Sequence, residues 1–216
     1  MTVIENVFIC ITAPLLFSLL CMKRRERRMI VFLLSGMSMC LLSSYISSYL
    51  AMVQGADVVH ASMEISPLVE EIMKFLPMIF FLMVFEPKKE DIPVNVMMIA
   101  VGFATFENIC YLMRNGSGHL VNLAIRGFAT GAMHVMCGYM VAMGLVHLWD
   151  RDWIRVAGTL SLMAVAISYH GIYNILVTQT GPAAVIGYCL PLATAGIAWA
   201  ARKRFNRKYP RRTAAF

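Results

Sequence analysis

The sequence predicts an all-α protein: a polytopic transmembrane helical bundle of about seven spans, forming one integral membrane domain over residues 1–216. Three observations predict it. Hydrophobic residues make up 59% of the chain and charged residues only 14%, with a mean hydropathy of +0.69, far from the balance of a soluble globular domain. A spanning helix needs about 20 apolar residues, and windows of that kind recur near 3–22, 29–53, 68–86, 94–113, 121–148, 156–177 and 182–201. The basic residues, finally, are confined to alternate connectors. All of the 19 except Lys74, Arg114 and Arg126 fall in 23–28, 88–89, 151–155 and the tail 202–216.

The first window opens with Glu5 and has its positive cluster behind it, so it reads as a retained span and not as a cleaved signal peptide. The basic connector 23–28 follows. The second window carries Ser35, Ser38, Ser43, Ser44, Ser47 and Ser48, which can hydrogen-bond across helices or back to their own carbonyls. A connector over 54–66 holds Asp57, His60 and Glu64, and Ser66-Pro67 then has the pattern of an N-cap followed by Pro at the first helical position.

The third window contains Glu70, Glu71 and Lys74, and the fourth, behind the connector with Lys88 and Lys89, carries Glu107 and Tyr111. The fifth carries Arg126, Thr130 and His134 on one stripe, with Gly127 and Gly131 at the spacing that admits a neighbouring helix. His170 and Asn174 lie one turn apart in the sixth. The seventh precedes the basic tail. Positive connectors mark the cytoplasmic side, so the pattern predicts an outside N-terminus, a cytoplasmic C-terminus and a multi-pass cell-membrane protein. Net charge is +7, but this distribution points to the lipid bilayer as partner and to no nucleic acid.

All six cysteines fall in predicted spans with no CxxC pair and no zinc-finger spacing, which predicts small buried hydrophobes. The 18 methionines read as core or lipid-facing filler. No repeat of 20–50 residues and no Gly/Pro/Ser-rich linker divides the chain.

Charges at bilayer depth are costly, so Glu70, Glu71, Lys74, Glu107, His134, His170 and Asn174 mark candidate chemistry. Each has a bland counterpart. Glu70 and Lys74 could be an i,i+4 pair, Glu107 could be a structural carboxylate paired with Lys74 or Arg126, and a lone buried His is commonly a satisfied core residue. Neighbouring helix positions point about 100° apart, so of Glu70 and Glu71 one is expected to face the site and the other to hold Lys74 or a neighbouring helix. Counted from the basic ends, Glu107 and His170 both come out near ~20 Å, which puts the cluster in the outer half of the bilayer. His134 fits this depth least well.

The motifs Glu70-Glu71-Ile72-Met73-Lys74, Phe103 through Glu107-Asn108 to Tyr111, Arg126 to His134 with Gly138 beyond, and His170-Gly171-Ile172-Tyr173-Asn174 stand in one order over nearly the whole chain. In these four the chain resembles the PrsW family of polytopic membrane proteases, distant relatives of the CAAX-processing and bacteriocin-processing (ABI) proteases. The resemblance implies a bacterial enzyme that hydrolyses a peptide bond in a membrane-anchored single-span protein, in the manner of first-site cleavage of an anti-sigma factor, from the extracytoplasmic side. One departure is the first connector, 23–28, strongly basic where many relatives are acidic and contain proline.

Peptide hydrolysis needs an activated water, oxyanion stabilisation and a proton for the leaving amine. Glu70 or Glu71 is expected as general base, His134 to hold the water or pass the proton, His170 with Asn174 as oxyanion donors, and Glu107 to orient a His or share the water. Lys74, Arg126 and Tyr111 are expected to support them. A cofactor-free mechanism is the favoured expectation. Zinc is its alternative, with Glu71, Glu107, His134 and His170 as ligands, although HExxH is missing. Serine and aspartyl mechanisms lack their motifs. The rival classes are a proton- or ion-coupled transporter and a non-catalytic membrane scaffold.

Overall fold

The computed structural model describes residues 3–85, 87–115, 120–149 and 151–208, and among them it contains helices and no strand. In order these are α1 (Val3–Ser18), α2 (Arg24–Gln54), a short α3 (Val58–His60), a π-helical turn (Ala61–Ile65) leading into α4 (Ser66–Phe85), then α5 (Asp91–Asn115), α6 (Leu120–Leu148), α7 (Asp152–Val177) and α8 (Pro182–Lys208). A helix lies in each of the seven apolar windows. Five helices, α2 and α5 to α8, are long and apolar enough to cross a membrane. The other two differ for visible reasons: α1 has 16 residues, about 24 Å, and the apolar run of α4 is interrupted by Glu70, Glu71 and Lys74.

Burial supports a bundle surrounded by lipid. Phe17, Phe80, Phe85, Phe128, Trp153 and Ile197 are exposed on the outside, whereas polar Glu71, Lys74, His134 and His170 are buried within. That inversion of the soluble pattern suits a hydrocarbon solvent. The larger core joins Phe75 and Met78 of α4, Val96 and Ile99 of α5, Met133 and Cys137 of α6, and Ala166 and Tyr173 of α7. A second joins Leu34, Met37 and Cys40 of α2 to Phe103 and Phe106 of α5. Against it α1 lays Phe8, whose ring meets Phe106 edge-on at 5.1 Å.

The closest helix crossing is α2 on α5. A Cβ at Gly36 would collide with the Ile99 carbonyl, and one at Gly102 with the Leu33 carbonyl. Among the α6 glycines the sequence singles out, Gly138 does admit a neighbouring helix, since a Cβ there would stand 2.7 Å from the Ala100 Cβ of α5, but at Gly127 and Gly131 a Cβ would make only ordinary contact, at 3.8 and 3.7 Å, with the Asn108 amide. These last two glycines seat a side chain, not a helix backbone. The α2 serines mostly bond back along their own helix, as Ser35 to Val31 and Ser38 to Leu34.

Three further expectations change. Ser66 is not an N-cap, because the helical run begins earlier, at Val58, where the Asp57 carboxylate accepts the His60 N–H at 2.8 Å. That N–H, joined by the His60 ring, holds the exposed Asp57 carboxyl below the usual carboxylate range. Of the cysteines, Cys40 and Cys137 are buried, but Cys10, Cys21 and Cys189 are exposed, and Cys21 lies in the turn after α1. The basic tail continues α8 as far as Lys208, while 209–216 lie outside the described residues.

The basic connectors before α2 and α5 share one end of the bundle, since Arg28 at the start of α2 donates to Asp91 at the start of α5 at 2.6 Å.

Candidate functional site

Four helices converge on one buried polar cluster. From α4, Glu71 and Lys74 face inward on an i,i+3 step, and the Lys74 Nζ donates to Glu71 Oε1 at 2.5 Å. The i,i+4 partner, Glu70, does not hold Lys74. On α7, His170 Nδ1 lies 2.8 Å from the same Glu71 oxygen. The ring's far nitrogen, Nε2, stands 3.9 Å from Glu70 Oε2. The two adjacent carboxylates therefore flank opposite edges of one imidazole.

The second half is built by α5 and α6. Lys74 Nζ also lies 3.0 Å from His134 Nδ1, and His134 Nε2 lies 2.5 Å from Glu107 Oε2. An ammonium only donates, so Nδ1 accepts and the neutral ring carries its proton on Nε2, directed at Glu107. Arg126 donates to the other Glu107 oxygen at 3.1 Å and to Asn108 Oδ1 at 3.1 Å, and its guanidinium stacks 3.6 Å from the centre of the Tyr111 ring. The His134 and His170 rings meet edge-to-face at 5.0 Å, and Lys74 Nζ sits 4.8 Å from the Phe103 ring centre.

The chain Arg126–Glu107–His134–Lys74–Glu71–His170 is thus continuous, and each charge in it is compensated by a neighbour. One atom stands outside it. Glu70 Oε2 is buried without a hydrogen-bond partner. In a neutral His170 whose Nδ1–H serves Glu71, Nε2 is also an acceptor, so two lone-pair atoms confront each other across 3.9 Å. Such a gap suits a bridging water or cation.

Asn174 has a different neighbourhood. Its amide donates to the Ser62 carbonyl at 2.8 Å. In the π-helical turn Ser66 N–H bonds back to Ala61, so the next donor in register, facing Ser62, would be residue 67, which is a proline without an N–H. Pro67 leaves the Ser62 carbonyl open and Asn174 fills it. The expected oxyanion donor is therefore engaged in pinning α7 to the start of α4.

Sequence reasoning passed over Asn108, whose amide links Arg126 to the Gly127 carbonyl at 3.3 Å, and Tyr173, whose hydroxyl pairs with Thr130 at 2.9 Å in the core. Both lie inside quoted motifs, next to Glu107 and three residues after His170. Adjacency to a deep charge was the available signal.

Metal-ligand spacing also differs from the sequence reading. Glu70, His134 and His170 each offer one donor atom, all within 4.8 Å of one another. Glu71 and Glu107, two of the four expected ligands, instead bond to the His170 and His134 rings.

The model of the PrsW family, described as intramembrane metalloproteases, matches residues 24–207. The chain belongs to the PrsW family. Comparison with curated proteins and with solved structures returned no match. As a PrsW-family member the chain is a multi-pass membrane peptidase, which sets the transporter reading aside. A PrsW-type enzyme acts on a substrate embedded in the membrane, and a buried polar cluster among apolar helices is a place where such a bond could meet water.

Proposed function

We propose that this PrsW-family protein is an endopeptidase that cleaves a membrane-anchored single-span protein from the extracytoplasmic side of a bacterial cell membrane, within one domain of seven spans that includes α1 and α4. The observation that carries the reading is the confrontation of Glu70 Oε2 with His170 Nε2 across 3.9 Å in a buried setting. Both atoms are acceptors turned toward one small space. Glu70 is the group placed to take a proton from a water there, because its Oε2 is buried without a hydrogen-bond partner.

The remaining residues keep that space in order. Glu71, neutralised by Lys74, fixes the tautomer of His170 so that Nε2 faces Glu70. Glu107, backed by Arg126, fixes His134 in the same way. Asn174 and Pro67 hold α7 against the helix that carries both carboxylates. Lys74, with its three donors, is the nearest cation to a developing oxyanion.

The donor set fits a divalent metal. Glu70 Oε2 and His170 Nε2 are uncommitted, His134 offers the third donor atom, and Glu71 on His170 reproduces the carboxylate–histidine arrangement that orients metal-bound imidazoles. The three donor atoms lie within 4.8 Å of one another, and His134 would exchange one of its two hydrogen bonds to help hold an ion. A zinc ion held there would supply Lewis acidity and acidify a bound water toward neutral pH. The family description favours this over the cofactor-free expectation.

Reconstitution in liposomes with single-span proteins tests the reading, comparing wild type with His170→Ala, before and after exhaustive chelation and zinc add-back. Loss on chelation with recovery on zinc supports the metal-bound form. Activity that survives chelation assigns the water to Glu70 and the histidines alone. Equal cleavage by wild type and His170→Ala would contradict the site.

A further inference from the structure

At the opposite end of the bundle, between the first turns of α2 and α5, lies a cavity of about 340 Å³ lined by Arg25, Arg28, Met29, Lys88, Glu90, Asp91, Val94 and Asn95. It shares no residue with the cluster around His170. Its wall holds an anomaly: Asn95 is 1% exposed, yet its Nδ2 has no hydrogen-bond partner. A buried amide donor without an acceptor is destabilising, so a group that accepts from it would be favoured.

The surroundings define what that group is. The N-terminus of α2 opens here at Arg24 with the partial positive charge of its first turn, while α5 begins at Asp91 with its first N–H groups already taken by the Lys88 and Lys89 carbonyls. The α2 N-cap, Lys23, makes no side-chain cap bond. Asp91 is engaged by Arg28 at 2.6 Å, so the cations left facing the cavity are Arg25 and Lys88, against the single carboxylate of Glu90. Donors dominate: one helix end, two long basic side chains and one dry amide. The volume suits a tetrahedral oxyanion with its first substituents. Basic pockets between membrane helices on the positive side are where anionic headgroups bind.

We propose that this cavity is a binding site for the phosphate of an anionic lipid headgroup, with Asn95 as the buried donor and Arg25 and Lys88 as the charged ones. The basic connector 23–28, for which the proteolytic site has no use, then has a ligand.

Asn95 makes the proposal testable, because it is neutral and buried: loose electrostatic attraction of lipid to surface cations does not depend on it. The full-length protein is purified in detergent and retained phosphatidylglycerol is read by native mass spectrometry against phosphatidylcholine, for wild type, Asn95→Leu, Lys88→Gln and, as a distant charge control, Arg202→Gln. A parallel titration uses inorganic phosphate alone. The expected result is one phosphatidylglycerol retained by wild type and Arg202→Gln, with occupancy reduced at least fivefold in both Asn95→Leu and Lys88→Gln. Circular dichroism shows which variants are folded, and Lys88→Gln, on an exposed loop, carries the test if Asn95→Leu is not. Saturable binding of free phosphate with the same residue dependence, and no lipid retention, would overturn the lipid source. Equal retention in all four proteins, or loss only with Arg202→Gln, would overturn the site.

Discussion

Glu70 and Glu71 are adjacent and chemically identical, yet the fold gives them different work. Glu71 shares one oxygen between Lys74 and His170 and is 3% exposed; removing one partner of such a pair leaves an uncompensated buried charge and costs about 3–5 kcal/mol. Glu71→Gln and Lys74→Ala should therefore lower the thermal midpoint in detergent markedly as well as abolish cleavage. Glu70→Gln removes no pair, and its melting curve should stay close to that of wild type. Equal destabilisation by Glu70→Gln and Glu71→Gln would mean that Glu70 is structural too. At this scale the identities of Glu70, Glu71, Lys74, Glu107, His134 and His170 were legible, because each is a polar residue in an apolar run. Their pairing was not: an i,i+3 bond from Glu71 to Lys74 and an i,i+4 bond from Glu70 are equally available to a bare helix. Packing of α7 against α4 selects the first by placing His170 over Glu71.

At the level of elements, the π-helical turn before α4 and the crossing of α2 on α5 decide how the site is held. Asn174→Ala leaves the Ser62 carbonyl without a donor, a loss of about 1–3 kcal/mol that denaturant or thermal unfolding should detect. Pro67→Ala restores an N–H opposite that carbonyl, so the double variant should recover part of the loss. Strict additivity of the two would show that Ser62 is not their shared partner. At the crossing, Gly36→Ala or Gly102→Ala drives a Cβ into a carbonyl and should reduce the yield of folded protein, whereas Gly127→Ala should be tolerated. The reverse ranking in a detergent stability assay would contradict the crossing. Sequence placed helices in every apolar window but misjudged these details. A proline at 67 reads locally as a helix start, and only the neighbouring Asn174 makes a mid-helix proline affordable. GxxxG is likewise permissive: Gly127 and Gly131 allow close approach, but α5 approaches with the Asn108 side chain.

For the whole molecule, two ends are distinguishable. One gathers Arg28 and Lys88, with Arg155 stacked on Trp149 beside Pro87. The other carries α3 and the ends of α5 and α7, and His170, seven residues before Val177, lies about 10 Å below it. His134 is about 21 Å from the start of α6 at Leu120, which is why depth counting from sequence fitted it poorly. With the basic end inside, a membrane-impermeant maleimide on intact cells should label Val58→Cys, 85% exposed, and spare Lys23→Cys; labelling of Lys23→Cys alone would invert the topology. The central claim is that the four helices meet to activate one water at Glu70. Cleavage of a single-span protein co-reconstituted in liposomes, followed under single-turnover conditions for wild type and Glu70→Gln of matched thermal stability, tests it most directly. The account predicts that the variant cuts at least a thousandfold more slowly, about 4 kcal/mol of barrier, while folding normally; a Glu70→Gln protein that cleaves at the wild-type rate would contradict it.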